Sequence, residues 1–167
     1  MPDKFRIRKI KKTEFIKLRK LFKKALYEDF SYFPGEYLDQ VNQQNTTLKL
    51  MKALFSKHRL VMGLFDGSSL VGYVIASTKD PRENFIFWLY VKHELRGQGL
   101  GKKLMNSALN LMKESGAKNI YLMTHQLQDF YKALGFDTIY SNNVLFDDII
   151  MYEMGIEVKN ETQAQAI

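Results

Sequence analysis

The chain of 167 residues contains no cysteine and only three histidines, His58, His93 and His125. The lack of cysteine excludes disulfides, thiolate catalysis and cysteine-ligated zinc. Three histidines argue against a histidine-based metal site, so no metal is predicted. No apolar run approaches the roughly 20 residues that cross a bilayer, and no signal peptide is visible. We therefore expect a soluble, cytoplasmic protein without membrane contacts.

Hydrophobic residues make up 46% of the chain and charged residues 26%, which is typical of a globular domain with a core. No linker or internal repeat interrupts it, so one domain over residues 1–158 is predicted, with a frayed polar tail over 159–167. Period-two and helical patterns alternate in the order β-α-α-β-β-β-α-β-α-β-β. This order predicts a mixed α/β fold in which antiparallel strands come first and strand–helix–strand crossovers follow.

The net charge of +7 is concentrated at the N-terminus. Residues 1–24 hold eleven Lys or Arg against two acids, Asp3 and Glu14, whereas the rest of the chain is slightly acidic. Such a run is most often the solvated face of a strand and a helix. The alternative is a surface that attracts an acidic or nucleic-acid-linked partner. The run contains no RNA-binding motif with interleaved aromatic residues, so nucleic-acid binding is the weaker interpretation.

A glycine-rich stretch, Arg-Gly-Gln-Gly-Leu-Gly at 96–101, lies between an apolar run at 85–91 and a helical pattern that begins at Leu100. A strand, a glycine turn and a helix N-terminus in this order favour phosphate binding, because free N–H groups of the first helical turn point at the anion. A Walker loop is excluded, since Arg96 and Lys103 stand where a glycine and a hydroxyl are required. A Rossmann fingerprint fails as well, because the third glycine comes one residue early. A purely structural turn remains open.

Two motifs together resemble the GNAT superfamily of N-acetyltransferases. Arg96, Gly99 and Gly101 match its pyrophosphate motif, which follows a strand ending Leu-x-Val, here Leu89 to Val91. Some thirty residues later the chain reads Phe-Tyr-Lys-Ala-Leu-Gly-Phe at 130–136, as in the family. The resemblance covers the element order of the whole chain and implies a central mixed, largely antiparallel sheet flanked by helices.

The resemblance implies acetyl-CoA as the acyl donor and direct transfer to an amine in a ternary complex. It assigns the donor site to a strand, the glycine turn and two later residues: Leu89, Tyr90, Val91, Arg96, Gly97, Gln98, Gly99, Leu100, Gly101, Lys102, Thr124 and Tyr131. Tyr131 would be the general acid that protonates the departing thiolate. The alternative is that Tyr131 is a core aromatic residue, because it lies on the apolar face of its helix.

The general base is less defined. Some family members carry a glutamate on the strand before the turn, where this chain has Phe85. Glu83, two residues earlier on the same strand face, and His125, at the end of the next strand, are the candidate bases. His93 and Glu94, in the loop before Arg96, are weaker candidates.

The acceptor amine is not identified by the sequence. In the family its site lies between the first helices, their loop and the late strands, which predicts Tyr32, Phe33, Tyr37 and Tyr73 as walls. A small molecule, an amino acid or a peptide amine would fit. A CoA-binding sensor without turnover stays open because of Phe85. Dimers are frequent in the family, so a homodimer stays open too.

Overall fold

The structure is a computed structural model that describes residues 4–78, 84–146 and 149–158, without the side chains of residues 142–146. Glu83 and the predicted tail at 159–167 lie outside the described residues. A seven-stranded sheet has the order β1-β2-β3-β4-β5-β7-β6. Its strands are β1 Phe5–Lys9, β2 Arg59–Asp66, β3 Ser69–Ser77, β4 Asn84–Val91, β5 Asn119–Thr124, β6 Asp137–Phe146 and β7 Ile149–Glu157.

Only β4 and β5 are parallel, and all other neighbouring strands are antiparallel. The parallel pair requires a crossover, which a helix supplies. The α-helices are α1 Phe15–Asp29, α2 Gly35–Gln44, α3 Thr47–Phe55, α4 Leu100–Glu114 and α5 Gln128–Lys132. The predicted mixed and largely antiparallel sheet is confirmed, and so is the order in which the strands follow one another along the chain.

The second helical region of the sequence is divided in two. α2 ends at Gln44 and α3 begins at Thr47, in the polar stretch that breaks the helical pattern. Thr46 caps α3, because its hydroxyl accepts a hydrogen bond from the Lys49 N–H at 3.4 Å. The last pair of strands is also longer than the apolar pattern predicts, since β6 continues to Phe146.

Each face of the sheet packs against its own group of helices. On one face α4 contributes Leu104, Met105, Ala108 and Met112, all fully buried. On the other face α1 inserts Leu18 and Phe22 over Tyr73 and its neighbours. Residues recurring at three- and four-residue spacing produce these apolar stripes, and their burial is the main source of helix stability here.

The basic residues of α1 lie on the opposite side of that helix. Lys17, Lys20, Lys23 and Lys24 are all exposed, as expected for a solvated helix face. Within the described part of the chain no helix has both the length and the apolar character needed to cross a membrane.

Candidate functional site

The sheet opens between β4 and β5. Their parallel register runs from Asn84 to Ile86 of β4 and stops there. The next residue, Phe87, has no partner on β3, because the register with β3 steps from Ile86 to Trp88. This extra residue is a β-bulge, which bends β4 at the point where its pairing with β5 ends. A gap therefore opens in the middle of the sheet.

Beyond the bulge, one edge of β4 has free backbone groups. The Lys92 N–H donates to the Val71 carbonyl of β3 at 2.9 Å. Because N–H groups alternate in direction along a strand, those of Val91 and Leu89 point away from β3 and into the gap. The Val91 carbonyl confirms this direction, since it accepts a hydrogen bond from Arg96 Nε at 2.9 Å rather than from β3. An extended ligand would find two backbone donors here.

The glycine-rich turn leads directly into α4. Gly97 and Gly99 have φ angles of 77° and 72°, a left-handed backbone that glycine adopts without strain. Gly99 is the N-cap of α4, and its carbonyl accepts the first helical bond, from the Lys103 N–H at 3.0 Å. The N–H groups of residues 100–102 precede that bond and have no acceptor within the helix. Together with the helix dipole they form a site for an anion.

Arg96 ties the turn to two other elements. Its Nε bonds Val91 at the end of β4, and its Nη2 pairs with the carboxylate of Asp29 at the end of α1. The guanidinium also lies 5.6 Å from the centroid of the Tyr90 ring. Arg96 therefore holds the turn in place, and Asp29 offsets part of its charge.

A cavity of about 390 Å³ lies between this edge of β4, the glycine turn and α5. Most of the predicted donor residues line it: Leu89, Tyr90, Val91, Arg96, Gly97, Gly99, Leu100, Gly101 and Lys102. Three other predicted donor residues, Gln98, Thr124 and Tyr131, are not part of its lining. The Thr124 hydroxyl accepts a hydrogen bond from the Leu127 N–H at 3.3 Å, so it stabilises the turn before α5.

Three lining residues, Asp29, Leu127 and Phe130, were missed by the sequence analysis. Phe130 could have been predicted from the sequence, because it directly precedes Tyr131 in the second motif. A Cβ atom on Gly101 would lie 3.6 Å from the Phe130 ring, an ordinary van der Waals contact, so α4 and α5 lie close together at this point. No sequence pattern indicates Asp29, because its position depends on how α1 packs.

Tyr131 is on α5 and is only 7% exposed. Its ring packs edge-on against Phe130 and Phe136, at centroid distances of 5.0 and 6.0 Å. Burial, with a smaller contribution from Tyr32, raises the pKa of Tyr131 to about 12. The phenol therefore keeps its proton at neutral pH and would be a donor rather than a base. Its packing against these two rings also makes it part of the core.

An aromatic cluster forms the opposite side of the gap; it consists of Phe30, Tyr32, Phe33, Tyr37 and His125. Tyr32 is in its centre, with ring centroids 4.6 Å from Phe33 and 4.7 Å from His125. Tyr37 packs on Phe33 at 5.0 Å. Burial, then the charge of Asp29 and then Tyr37, raises the pKa of Tyr32 to about 12. Three of the four predicted acceptor walls thus lie together.

The fourth predicted wall, Tyr73, does not line the gap. Its side chain is 1% exposed and packs on Phe22 at 6.1 Å and Tyr90 at 5.8 Å. The prediction is corrected: Tyr73 lies on the face of β3 that α1 covers, and it supports the cluster from within the core.

His125 is at the end of β5, beside Tyr32. Its Nδ1 lies 2.8 Å from the Ile150 carbonyl. A carbonyl only accepts hydrogen bonds, so Nδ1 must carry the proton, and the neutral ring then has its lone pair on Nε2. Of the other predicted bases, Glu83 lies outside the described residues. His93 and Glu94 belong to the turn at 93–95, where Glu94 pairs with Lys92 at 3.8 Å.

The described residues contain no group of three or more His, Asp or Glu side chains able to hold a metal. The open β4 edge and the glycine turn together form a cavity that suits a phosphate-bearing chain.

Comparison with known proteins points to the same family as the two sequence motifs. The pattern of the acetyltransferase (GNAT) family matches residues 18–136. The chain therefore belongs to the GNAT acetyltransferase family.

N-alpha-acetyltransferase 30 of Schizosaccharomyces pombe is 34% identical over 79 residues, which cover 42% of this chain and 53% of that protein. The chain thus matches about half the length of this relative. Among solved structures, the PaiA N-acetyltransferase of Thermoplasma acidophilum in complex with coenzyme A superposes with a TM-score of 0.80 at 20% identity, covering 92% of this chain and 99% of the other. A GNAT acetyltransferase of Streptococcus pneumoniae superposes with a TM-score of 0.76 at 18% identity, covering 93% and 99%. These likenesses establish the fold.

Proposed function

We propose that this protein transfers an acetyl group from acetyl-CoA to an amine by direct attack in a ternary complex. The observation that carries the proposal is the meeting of the open β4 edge with the glycine turn in one cavity. The pyrophosphate of the coenzyme would bind the N–H groups that begin α4. Its pantetheine arm would then extend along β4 and bond the N–H groups of Leu89 and Val91.

The reaction joins the amine nitrogen to the thioester carbonyl carbon and breaks the C–S bond. A free N–H at the β4 edge would stabilise the negative charge that develops on the carbonyl oxygen. The departing thiolate would take a proton from the Tyr131 phenol, and the phenolate would recover one from the protonated nitrogen of the tetrahedral intermediate. The buried phenol holds that proton at neutral pH, since its pKa is raised to about 12.

An ammonium is not a nucleophile, so the acceptor must lose a proton. We propose that His125 accepts it through Nε2, because Nδ1 is committed to Ile150. The Tyr32 ring at 4.7 Å fixes the plane of the imidazole beside the gap. Glu83 is the second proposed base.

The acceptor would bind against Tyr32, Phe33 and Tyr37. The name of the fission yeast relative describes acetylation of α-amines. A peptide N-terminus is therefore the acceptor that we propose to test first. One observation favours a second candidate, a CoA-binding sensor without turnover: Phe85 lies where some relatives carry the basic glutamate.

Two measurements test the proposal. Calorimetry should show saturable binding of acetyl-CoA. Release of free thiol should then depend on added peptide. No binding of acetyl-CoA would refute the proposed function. Binding without thiol release over a broad panel of amines would favour the sensor.

A further inference from the structure

A second cavity, of about 410 Å³, lies beside α3 and β4. β4 forms a wall of both. Phe87 and Trp88 line the second cavity, and Leu89, the next residue, lines the first. Phe87 is also the bulged residue at which β4 leaves β5. The two cavities therefore border consecutive stretches of the same strand, the second one being lined by α2, α3, β2, β3 and β4.

The lining of the second cavity carries charge of one sign. Lys49 and Lys52 come from α3 and Arg59 from the beginning of β2, and the described residues that line the cavity include no Asp or Glu. Among the ion pairs formed by the described residues, none uses any of these three cations. Arg59 instead rests on Phe87, with its guanidinium carbon 4.4 Å from the ring centroid. Three cations thus border a cavity whose described lining contains no carboxylate to offset their charge.

Aromatic contacts connect this cavity to the proposed acceptor wall. Trp88 packs edge-on against Phe30 at 5.6 Å, and Phe30 contacts Tyr32 at 6.0 Å. Tyr32 in turn contacts His125. A ligand that extends from the basic cavity along this row of rings would reach the imidazole.

We infer that the basic cavity selects acceptors by their negative charge, and that the substrate is a peptide with acidic side chains close behind its N-terminal amine. The inference rests on the proposed function. Opposite charge across the interface would favour such peptides, and polycationic amines would be repelled.

The distance along β4 favours a peptide over a free amino acid. From Leu89 to Phe87 the strand advances about 6–7 Å. In a free amino acid the α-carboxylate carbon lies only about 2.5 Å from the amine nitrogen, which is too short to reach from the transfer point into the basic cavity. An extended peptide advances about 3.3 Å per residue, so acidic side chains at its second and third positions would reach it.

Trp88 gives a direct readout, because it is the only tryptophan of the chain and lines the basic cavity. Its fluorescence would be followed, with coenzyme A present, during titration with three peptides that differ only at positions two and three. These positions hold glutamate, glutamine or lysine. We expect the glutamate peptide to bind about fivefold or more tightly than the glutamine peptide, and the lysine peptide to bind weakest, with differences that shrink as salt rises.

Two double variants test whether the lysines of the basic cavity cause the preference for the glutamate peptide. Lys49→Gln combined with Lys52→Gln should weaken binding of the glutamate peptide about four- to tenfold and leave the glutamine peptide within twofold. The matched control is Lys23→Gln combined with Lys113→Gln, which removes the same charge from exposed positions outside the cavity. Free glutamate and spermidine complete the panel, and both should leave the Trp88 signal unchanged.

The inference is overturned if the glutamate and glutamine peptides bind alike, if no peptide changes the Trp88 signal, or if the cavity and control variants behave the same. It is also overturned if free glutamate binds as tightly as the glutamate peptide. These outcomes leave the proposed function untouched, because that function is judged by acetyl-CoA binding and thiol release on neutral peptides.

Discussion

The two sides of the gap between β4 and β5 are built in different ways. The donor side comes mainly from one continuous stretch, residues 89–102, and its binding groups are backbone N–H groups. The acceptor side collects side chains from separate parts of the chain: Tyr32 after α1, His125 after β5 and Trp88 in β4. Backbone geometry constrains the donor side, whereas packing alone determines the acceptor side. We therefore expect mutations to separate the two sides cleanly.

The largest effect is expected on the donor side from Gly99→Glu. A carboxylate at the N-terminus of α4 would take the place of the pyrophosphate and repel it, which should weaken acetyl-CoA binding about 100-fold or more. Calorimetry measures the change. Gly67→Glu is the matched control, since Gly67 also has a positive φ, of 58°, with open space around it, but belongs to the β2–β3 turn. Equal loss of binding in both variants would contradict a specific phosphate site.

Tyr131→Phe tests the chemistry between the two sides. Loss of the phenol proton should lower kcat about 10- to 100-fold, with unchanged affinity for acetyl-CoA, because the ring and its packing remain. Tyr140→Phe, at an exposed position of β6, is the control. Unchanged turnover would assign Tyr131 to the core alone.

His125→Gln should lower kcat about tenfold, since glutamine has no basic nitrogen to replace Nε2. His58→Gln alters an exposed histidine of the turn before β2 and should have no effect. If the His125 variant keeps full activity, another residue is the base, and Glu83 would be substituted next.

Tyr32→Ala should act only on the acceptor side. It removes the ring between Phe33 and His125, so KM for the peptide should rise about fivefold while acetyl-CoA affinity stays the same. Tyr32→Phe keeps the ring and should retain the wild-type KM. A parallel loss of donor affinity would show that the two sides are coupled.

The smallest effect is expected from the pair of Arg8 and Glu14, which lies at the start of α1. The other end of α1 lies at the gap. Arg8 donates two hydrogen bonds to Glu14, at 2.8 and 2.9 Å, and these hold the pKa of Glu14 to about 2. A carboxylate whose pKa is lowered by folding stabilises the folded state at pH values above its pKa in the unfolded chain, which is about 4.3. This stability is lost as the pH falls toward 2. Glu14→Gln should therefore cost about 1 kcal/mol at pH 7 and little at pH 2. Urea unfolding at both pH values measures it, with Glu36→Gln as the exposed control.

The donor side was largely predictable from the sequence because its determinants are local. The spacing of Gly97 and Gly99 between a strand and a helix predicts both the turn and the free N–H groups. Nine of the twelve donor residues that the resemblance to the GNAT family implies line the cavity. The second motif also predicts Tyr131 as a site residue. Whether its hydroxyl reacts depends on the rings packed around it, and the sequence does not show their arrangement.

The acceptor side required the tertiary structure. The resemblance implies Tyr73 as a wall, but only the packing of α1 on β3 shows that its side chain is buried in the core. Asp29 reaches Arg96 only because α1 ends beside the turn, and the tautomer of His125 depends on a carbonyl of β7. Residues 96–101 alone thus determined where a phosphate would bind. Packing decided which side chains face it, because contacts between segments far apart in the chain depend on how helices and strands come together.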